Sequence, residues 1–418
     1  MTRVLLLSAT TGYQLRSYDD AAAQRGIDLV LATDRCHQLD DPWRDRAIAV
    51  RFHDLRFSLA AIDRAAEGGT FTAVLSVGDR PTVMAAWTAE RLGVAGNPHD
   101  AAAASVDKRE ARRRFASAGL IVPWHFAVGG DADAEDAAHD RRITYPCVLK
   151  PAGLSGSRGV IRANDAAEFA GALARIRALL ARVDVRAERT PSDAVLVEGF
   201  IPGREYAVEG VLTRGGLHVF TIFDKPDPLD GPFFEETIYV TPSALDPRAW
   251  DAIRHIVERG TRALGLRHGP IHAEVRVNTD DIVLLEIAAR PIGGLCSRAL
   301  RFEGDASLED VLLDHALGGE ASLHRRDAQA SAVMMIPIPR RGLLKGVHGQ
   351  DRARARPHIT DVRITAKPDQ LLEPLPEAGS YLGFIFATAP SASVAEQAVR
   401  DAHADLAFTI DPAINVLR

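Results

Sequence analysis

The first hundred residues alternate short apolar runs with stretches of helical character, and this order restricts the fold more than any other feature of the chain. The runs RVLLLSA, IDLVLAT and FTAVLSV predict strands, and SYDDAAAQRG, SLAAIDRAAEGG and PTVMAAWTAERLG predict the helices that connect them. Strands connected through helices run parallel in one sheet and carry helices on both faces. Residues 1–104 are therefore predicted to form a parallel α/β domain.

The composition is that of a globular protein, and it excludes several functional classes. The chain has 418 residues, 46% of them hydrophobic and 25% charged, enough for two or three domains with cores of their own. A formal net charge of −6 offers no basic surface to a nucleic acid. Apolar runs stay well below the roughly 20 residues of a membrane-spanning helix, and the start MTRVLLL turns polar too soon for a signal peptide. We therefore expect no membrane partner. Cys36, Cys147 and Cys296 lie far apart and match no metal-ligand spacing, which is typical of packing residues, so we expect a reducing, cytoplasmic location.

Later segments carry clear start and stop signals. DPRAWDAIRHIVERGTRALGL predicts a helix that follows Asp246, has Pro247 in its first turn and stops at Gly265. GPIHAEVRVNTDDIVLLEIAARPIGG predicts a hairpin with NTDD as its turn, and AVLVEGFIPGREYAVEGVLT predicts two paired antiparallel strands around a Pro-Gly turn. From residue 321 the pattern is strands plus one helix, which indicates a small C-terminal α+β domain.

The segment LKPAGLSGSRGV, residues 149–160, contains three glycines spaced three apart, and we call Gly153–Gly159 the glycine loop. It is not a Walker loop, because Lys150 precedes the glycines instead of following them next to Ser or Thr. A dinucleotide-binding turn needs Gly-x-Gly-x-x-Gly after the first strand, and only Gly12 is found there. The loop therefore belongs to another class of site.

Two glutamates interrupt the apolar strands of the predicted hairpin, Glu274 in IHAEVRV and Glu286 in DIVLLEIAA. Buried carboxylates without partners are costly, and two that face each other repel unless a cation or a shared proton holds them together. Mg²⁺ suits such a pair, because it takes few carboxylates and keeps water and phosphate as its other ligands. The alternative is a structural ion pair of each glutamate with Arg276 or Arg290, and the two glutamates alone do not decide between these interpretations.

Arg290 lies near the end of the second of these strands and precedes PIGG, so a guanidinium and flexible backbone amides meet there. Such a group suits a phosphoryl or acyl-phosphate oxygen, because a guanidinium donates two parallel hydrogen bonds. Lys108 and Lys150 add cations at the edges of other elements, where they would clamp phosphates.

The strand end SVGDRP would present Asp79 and Arg80 at the sheet edge where ligands bind, although ordinary loop capping is the favoured role for this pair.

Taken in order, Lys108 in SVDK, Lys150 in YPCVLKP, the glycine loop, VEGFIPGREYAVE, Glu274 and EIAARPIGG resemble the ATP-grasp enzymes over roughly residues 105–317. GVAGNPHDAAAASVDKREARRRFASAGLIVP and the EIAAR variant are most similar to the L-amino acid ligase branch of the carboxylate-amine ligases. The resemblance implies an α/β chain with the ATP-grasp fold. Its parts would be a Rossmann-like pre-ATP-grasp domain (1–104), an ATP-grasp domain (105–320, with a lid subdomain at about 120–197) and the C-terminal α+β domain (321–418).

The resemblance also implies how ATP is bound. Lys108 and Lys150 would contact its α- and β-phosphates, and the glycine loop would close over them as a mobile flap. A backbone hinge would read adenine, Glu205 would hold the ribose hydroxyls and Leu284 would pack on the base. The γ-phosphate donors would be Ser155, Gly156 and Ser157, and the hinge would consist of Glu198, Gly199, Phe200 and Ile201.

The same resemblance assigns the hairpin glutamates, Glu274 and Glu286, to Mg²⁺, with two ions expected and Mn²⁺ as a substitute. The common family pattern has asparagine two residues after the second glutamate, whereas this chain has Ala288. The second ion therefore lacks a usual ligand. A small residue at this position is compatible with the amino acid ligase branch, so two ions remain the expectation.

The substrate pocket follows from the resemblance as well. Arg290 would stabilise the transferring phosphoryl group and the acyl phosphate, beside Gly293 and Gly294. Lys225 is assigned to a phosphate and Glu236 to the substrate's amino group, and solvated surface roles are the alternative for both. Arg158 is left open between solvent and substrate.

The reaction implied by the resemblance is activation of a carboxylate by ATP to an acyl phosphate, followed by attack of an amine, with release of ADP and phosphate. The substrates would be small molecules, in particular amino acids, and a homodimer is compatible with the family. One alternative is a biotin-carboxylase-like enzyme that activates bicarbonate, but a Gln-Val-Glu-His type signature is replaced here by PIGGLCSRAL. Another is a non-catalytic nucleotide-binding protein, for which Ala288 is the only support.

Overall fold

The computed structural model describes residues 2–9, 14–34, 47–130, 132–188 and 194–413. Its first elements are β1 (Arg3–Ser8), α1 (Leu15–Gln24), β2 (Asp28–Thr33), β3 (Ile48–Ala49), α2 (Leu55–Glu67), β4 (Ala73–Val77), α3 (Asp79–Leu92) and α4 (His99–Val106). The four strands form a parallel sheet in the order β3-β2-β1-β4, as predicted. Along β1, Val4 and Leu6 enter one apolar core and Leu5 and Leu7 another, so both faces of this sheet are covered.

The second unit, which we call the lid (residues 120–197), contains a small antiparallel sheet packed on one long helix. The elements of this region are α5 (Lys108–Ser117), which precedes the lid, and β5 (His125–Val128), α6 (Ala134–Ala138), β6 (Cys147–Pro151), β7 (Ile161–Ala163), α7 (Ala166–Ala181), α8 (Val183–Glu188) and β8 (Val195–Gly199). The strand order is β5-β8-β6-β7. Phe169, Leu173 and Ile176 of α7 are fully buried against this sheet, which gives the lid its own core.

The third unit is a large antiparallel sheet of eight strands. It begins with β9 (Arg204–Thr213), β10 (Gly216–Asp224), β11 (Ile238–Thr241), α9 (Pro247–Leu264), β12 (Gly269–Val277) and β13 (Ile282–Ala288), and the helix α10 (Leu308–Ala316) follows. Short 3₁₀ turns occur at Cys296–Ala299, Glu303–Asp305 and Ala321–Leu323.

The C-terminal strands complete the same sheet. The last elements are β14 (Ala330–Ile336), β15 (Gly342–His348), α11 (Gln350–Arg354), β16 (Ile359–Ile364), β17 (Leu371–Leu372), β18 (Gly383–Ala389), α12 (Ala392–Ala404) and β19 (Ala407–Asp411). The eight-stranded sheet has the order β13-β12-β9-β10-β11-β14-β18-β16, and β17-β15-β19 form a separate small sheet. Hydrogen-bonded pairing thus continues across the predicted boundary at residue 320, and the domain limits stay a prediction.

One predicted pairing is wrong. The strands on either side of Pro202-Gly203, β8 and β9, do not pair with each other: β8 pairs with β5 and β6, and β9 pairs with β10 and β12. Gly203 has φ +116°, and a Cβ there would lie 2.3 Å from the carbonyl oxygen of Val277. The Pro-Gly segment therefore passes from one sheet to another. An alternating pattern identifies the buried face of a strand but not its partner.

The helix and hairpin that carry the predicted glutamates have the expected ends. The Asp246 side chain accepts hydrogen bonds from the amides of Arg248 and Ala249, and α9 ends at Gly265 with φ +83°. At the tip of the β12–β13 hairpin, Asn278 Oδ1 accepts from the amides of Asp280 and Asp281 at 2.9 and 2.8 Å. These predictions are confirmed, because the capping and turn chemistry is local in sequence.

Cys147 and Cys296 are buried free thiols, as their packing roles predict, and Cys36 lies outside the described residues. Burial raises the pKa of the Cys147 thiol to about 12. Among the described helices, we find none that combines the length and the apolar character needed to cross a lipid bilayer.

The packing of α9 on β13 yields a stability prediction. A Cβ added at Gly260 would lie 2.4 Å from Cδ2 of Leu284 and 2.7 Å from Cδ1 of Ile287. Gly260→Ala therefore overpacks this core, and we expect it to lower the free energy of unfolding by about 1–3 kcal/mol. The measurement is the midpoint of urea denaturation, followed by circular dichroism.

Gly171→Ala in α7 is the matched control, because a Cβ at Gly171 meets nothing within 4 Å. Replacing a helical glycine by alanine at such a position stabilises by about 0.5–1 kcal/mol. Equal midpoints for the two variants would contradict the packing described for α9.

Candidate active site

A cavity of about 230 Å³ lies between the lid and the large sheet, and most of the predicted site residues line it. The lid contributes β6, the glycine loop and β8, the large sheet contributes the β12–β13 hairpin, and residues 379–381 close the side near β14. The predicted residues that line the cavity are Lys108, Lys150, Ser155, Gly156, Ser157, Glu198, Gly199, Phe200, Ile201, Glu205, Glu236, Glu274, Glu286, Arg290, Gly293 and Gly294. Leu284 and Lys225 are not among the lining residues.

Glu274 and Glu286 are direct partners across the β12–β13 hairpin, and both side chains enter the cavity. The structural alternative, an ion pair of each with Arg276 or Arg290, is wrong for the described residues. Arg276 instead pairs with Glu205, with Nε 3.0 Å from Oε2. The cation near Glu286 is Lys108, whose Nζ lies 3.7 Å from Oε2. The facing carboxylates thus retain oxygen atoms for a ligand.

The prediction that Leu284 packs on the base is corrected. A β-bulge follows the Glu274–Glu286 pair, so that Val275 lies opposite Leu284 and Leu285 is the extra residue. The bulge turns Leu285 toward the cavity and Leu284 into the core beneath α9, where it is 1% exposed. A sequence pattern with period two places these side chains on the wrong faces when one strand carries an extra residue.

Lys225 lies at the centre of three carboxylates, those of Glu205, Glu236 and Glu274. Its Nζ donates to Glu205 and Glu274 at 2.7 and 2.8 Å and also contacts Glu236. Burial disfavours the ammonium, but the three carboxylates outweigh burial and raise the pKa of Lys225 well above its usual value. With its side chain 3% exposed, Lys225 is neither the phosphate contact of the resemblance nor the solvated charge of the alternative. It neutralises the acidic cluster from behind the cavity wall.

Glu236 and Glu274 of this cluster have pKa values that are shifted in opposite directions. Burial raises the pKa of Glu236 to about 7, an effect that Lys225 opposes and the neighbouring Glu274 reinforces. Burial also acts on Glu274, but Lys225 and His272 outweigh it and hold its pKa well below the usual value. Tyr239 donates to Glu236 at 2.8 Å. Glu236 therefore takes up a proton before Glu274 does.

A buried histidine, His272, lies beside Glu274 and was not identified from the sequence. Its Nδ1 is 3.0 Å from Glu209, and its Nε2 is 3.7 Å from Glu274. Burial lowers the pKa of His272, but the hydrogen bond to Glu209 and the nearby Glu274 carboxylate outweigh burial and raise it to about 9. Glu209 also accepts from the amide of Ile292 at 3.0 Å, so this pair connects β12 to the PIGG turn, residues 291–294.

Glu198 contributes a buried side chain to the site, in addition to its backbone. Arg112 donates to it at 2.9 and 3.3 Å, and Lys150 forms a second ion pair with it. Burial raises the pKa of Glu198, but the two cations outweigh burial and lower it to about 2. Arg112 also donates to the carbonyl of Leu285 at 2.5 Å. This network fixes Lys150 of the lid to α5 and β13.

Asp79 binds the guanidinium of Arg290. The sequence favoured a loop-capping role for Asp79, and the structure instead places it in the site. Nε and Nη2 of Arg290 donate to the two carboxylate oxygens of Asp79 at 2.9 and 3.2 Å, and Nη1 donates to the carbonyl of Pro291 at 3.0 Å. Burial raises the pKa of Asp79, but Arg290 outweighs burial and lowers it. Arg80 turns away and pairs with Asp34. The parallel domain thus orients the guanidinium at the cavity.

The glycine loop contacts Lys108, another of the predicted cations. Lys108 donates to the carbonyl of Leu154 at 2.6 Å, and Gly156 and Ser157 both have positive φ, +63° and +55°. Ser155 and Gly156 are exposed at the cavity mouth. Arg158, left open between solvent and substrate, bonds instead to protein: its Nε donates to the carbonyl of Glu377 at 3.0 Å.

The predicted hinge has one backbone amide available for a ligand. The amides of Gly199 and Phe200 already donate to the carbonyls of Trp124 and Pro146. The Ile201 carbonyl accepts from Arg276 at 2.6 Å. Within the described ranges, no protein group accepts a hydrogen bond from the amide of Ile201. The Ile201 amide is therefore the amide of this hinge that a ligand can use.

Charges in and directly behind the cavity almost cancel. The carboxylates are Asp79, Glu198, Glu205, Glu209, Glu236, Glu274 and Glu286, and the cations are Lys108, Arg112, Lys150, Lys225, Arg276, Arg290 and His272. Buried charges are stable only when paired. A polyanion would add negative charge to this balanced set, which favours a ligand that brings cations with it.

His272 and Glu209, which sequence reasoning missed, carry a weak signal in their spacing from predicted or named residues. His272, Glu274 and Arg276 alternate along β12, and Glu205 and Glu209 lie four residues apart on the neighbouring strand, so that all five point to one face. Polar residues with period two in an otherwise apolar strand indicate a polar surface within the core. Asp79 has no such signal, because its partner is 211 residues away.

Two family models match the chain. An ATP-grasp domain matches residues 143–299, and an L-amino acid ligase C-terminal domain 2 matches residues 334–411. Alanine–anticapsin ligase of Bacillus subtilis (strain 168) is 28% identical over 299 residues, covering 62% of this chain and 62% of that relative. Dapdiamide A synthase of Enterobacter agglomerans is 30% identical over 151 residues, covering 36% of this chain and 34% of that relative. The chain thus matches less than two thirds of the length of these relatives.

The fold extends over the whole chain. The crystal structure of an L-amino acid ligase from Bacillus licheniformis has a TM-score of 0.80 at 21% sequence identity and covers 98% of this chain and 99% of that chain. The strands, the lid and the C-terminal unit described above therefore follow the same fold as that ligase. The chain therefore carries an ATP-grasp domain, followed by a segment that matches the C-terminal domain 2 of L-amino acid ligases, within the fold of the L-amino acid ligase structure.

Proposed function

We propose that this protein is an ATP-dependent carboxylate–amine ligase that forms an amide or dipeptide bond through an acyl phosphate and releases ADP and phosphate. The observation that carries the proposal is the convergence of Lys108, Lys150, Glu274, Glu286 and Arg290 on one cavity. Cations for phosphates, facing carboxylates and a fixed guanidinium are what phosphoryl transfer to a carboxylate requires. The relatives with ligase names support the same reaction class.

The nucleotide would lie between the lid and the hairpin. Lys108 and Lys150, with the amides and hydroxyls of the glycine loop, would bind its phosphates. Val148, Phe200 and Leu285 line the same cavity and offer apolar surface to a base. The Ile201 amide is the donor available to adenine, and Glu205 retains lone pairs for ribose hydroxyls, because each carboxylate oxygen accepts more than one hydrogen bond.

The residues present fit a divalent cation. Glu274 and Glu286 would hold it, and Glu236 lies close, since the carboxylate oxygens of Glu205, Glu236 and Glu274 are within 4.8 Å of one another. An all-oxygen donor set is the preference of Mg²⁺, and Mn²⁺ is a reasonable substitute. Bound Mg²⁺ would neutralise phosphate charge. Two such ions would balance the four negative charges of ATP, which agrees with the near-neutral cavity.

Ala288 stands where the common family pattern has asparagine, and the structure shows which side chain lies next to this position. Ala288 lies opposite His272 on the adjacent strand. Both nitrogens of His272 face carboxylates, with Nδ1 3.0 Å from Glu209 and Nε2 3.7 Å from Glu274, so its imidazole is oriented by the acidic cluster. The second ion would then depend on the hairpin glutamates and water.

Arg290 would stabilise charge during transfer. Of the five N–H groups of its guanidinium, three are used by Asp79 and Pro291, and two remain for an anion. A carboxylate oxygen of the substrate would attack the γ-phosphorus while ADP leaves. The amine would then attack the acyl carbon, and phosphate would leave with the oxygen that the carboxylate supplied.

Amino acids are the proposed substrates. Glu236 and Tyr239 provide an acidic and hydroxyl-bearing wall for an ammonium group, and Phe234, Cys296 and Met335 provide an apolar one. Small apolar amino acids therefore fit this end of the cavity. A cytoplasmic location and a homodimer stay predictions, and gel filtration with light scattering tests the latter.

A screen over amino acid pairs tests the proposal. Purified protein receives ATP, Mg²⁺ and each pair, with alanine included because of the relative's name, while phosphate release and product mass are recorded. We expect phosphate release that depends on both amino acids, with a product lighter than their sum by one water. ADP release that needs only bicarbonate would support the biotin-carboxylase-like alternative. ATP binding without turnover would support a non-catalytic protein.

The hairpin glutamates yield the first prediction from this site. Glu286→Gln removes one metal-binding charge, and we expect kcat to fall by about a hundredfold or more, because charge stabilisation during phosphoryl transfer is lost. Folding should persist, since the ion pair that Glu286 makes within the described part of the chain is the long one with Lys108. Steady-state kinetics and the melting temperature are the measurements. Glu303→Gln at an exposed position is the control, and equal kcat in both variants would refute the role of Glu286.

Arg290 yields the second prediction. Arg290→Lys keeps the charge but loses the planar arrangement of donors that Asp79 orients, and we expect kcat to fall by about a hundredfold with little change in ATP affinity. Kinetics and calorimetric titration with a non-hydrolysable ATP analogue separate the two effects. Arg298→Lys, at an arginine paired with Asp361, is the matched control. Loss of ATP affinity with unchanged kcat would assign Arg290 to nucleotide binding instead.

A further inference from the structure

Residues 373–381, which we call the latch segment, connect the lid to the far wall of the cavity. The segment precedes β18 in the C-terminal unit, outside the span of the ATP-grasp match. One part of it contacts the lid through side chains and backbone. The other part lines the cavity. It is thus the part of the C-terminal unit that contacts both the lid and the interior of the site.

Two ion pairs join the segment to the helices of the lid. Arg175 of α7 donates to both carboxylate oxygens of Glu377, at 2.6 and 2.8 Å. Arg182, just after α7, donates to Glu373 at 2.7 Å. The bidentate geometry of the first pair fixes direction as well as distance.

Backbone hydrogen bonds join the segment to the glycine loop itself. The amide of Gly159 donates to the carbonyl of Pro376 at 2.8 Å, and Arg158 donates to the carbonyl of Glu377. Gly159 has φ +75°, and a Cβ there would lie 2.6 Å from Cγ of Pro151. The last glycine of the loop is therefore required for the chain to pass this close to β6 while its amide meets the latch segment.

The other end of the segment faces the substrate part of the cavity. Gly379, Ser380 and Tyr381 line it, and the Tyr381 ring packs edge-to-face on Phe384 at 6.1 Å between centroids. The amide of Leu382 donates to the carbonyl of Ile336, which anchors this end to β14. Only one residue, Ala378, separates Glu377 from the cavity wall.

We propose that the latch segment holds the lid over the nucleotide and couples the position of the lid to the shape of the substrate pocket. Glu373 and Glu377 are positioning residues, because they contact the lid arginines and do not line the cavity. A substrate seated against Ser380 and Tyr381 then favours the closed lid, and ATP is sequestered when the pocket is filled. The coupling to substrate rests on the proposed ligase function, whereas the hold on the lid does not.

Cleavage by trypsin after Arg158 tests the hold on the lid. Glu377→Arg places like charge beside Arg175. We expect the fragment 1–158 to form about fivefold faster or more, because an exposed ion pair is lost and repulsion is added. Mass spectrometry follows the fragment with and without Mg²⁺ and a non-hydrolysable ATP analogue. The exchange Arg175→Glu with Glu377→Arg should restore slow cleavage, and equal melting temperatures show that the fold is intact.

The matched control is Asp405→Arg, which breaks another bidentate pair of the C-terminal unit, with Arg356 at 2.7 and 3.0 Å, away from the cavity. If Glu377→Arg and Asp405→Arg are cleaved alike, or if the exchanged pair does not restore protection, the latch is refuted. This outcome is independent of whether any ligase substrate is found.

Kinetics with the amino acid pair selected by the screen test the coupling. We expect Glu377→Arg to raise KM for ATP and for the amino acid by about fivefold, although residue 377 does not line the cavity, and the exchanged pair to restore both. A rise in KM for ATP alone would overturn the coupling and leave a simple lid contact. No catalysis in the wild-type protein would refute the ligase proposal, while the trypsin result would still decide the hold on the lid.

Discussion

A single buried ammonium, that of Lys225, holds together the part of the large sheet on which the site depends. It lies among carboxylates of Glu205, Glu236 and Glu274, which come from β9, the approach to β11, and β12. Without a cation, three carboxylates this close would repel each other and lose their solvation, and breaking such a buried pair costs about 3–5 kcal/mol. Lys225 therefore makes it possible for an acidic surface to face the cavity in the folded protein. The remaining side chains of the site are arranged around this cluster.

The second constraint is that each functional cation has a protein anion that orients it. Lys150 is fixed by Glu198, and Arg290 by Asp79. These anions come from different units of the chain, the lid strand β8 and the first turn of α3. Pre-oriented charges need little reorganisation when charge develops on a substrate, which is the main way in which a protein promotes phosphoryl transfer.

Much of the fold and most of the lining of the cavity were predictable from the sequence. The ends of α9 follow from Asp246 and Gly265, and the facing glutamates follow from one hairpin with a short turn. What could not be predicted depends on contacts between distant segments. The bulge in β13 places Leu285 instead of Leu284 on the cavity side of the strand. The partner of Arg290, Asp79, lies in the first domain. Local capping and periodicity carry no information about either.

The ATP-grasp fold by itself does not select a reaction, because function depends on the site residues that a fold carries. The reaction proposed for this protein depends on the transfer of a phosphoryl group to a substrate carboxylate. The most direct measurement uses an amino acid labelled with ¹⁸O in its carboxylate, ATP, Mg²⁺ and the amine partner, with mass analysis of the released phosphate. An acyl-phosphate pathway predicts one ¹⁸O atom in each phosphate that accompanies a new amide bond. Amide formation with unlabelled phosphate would contradict it.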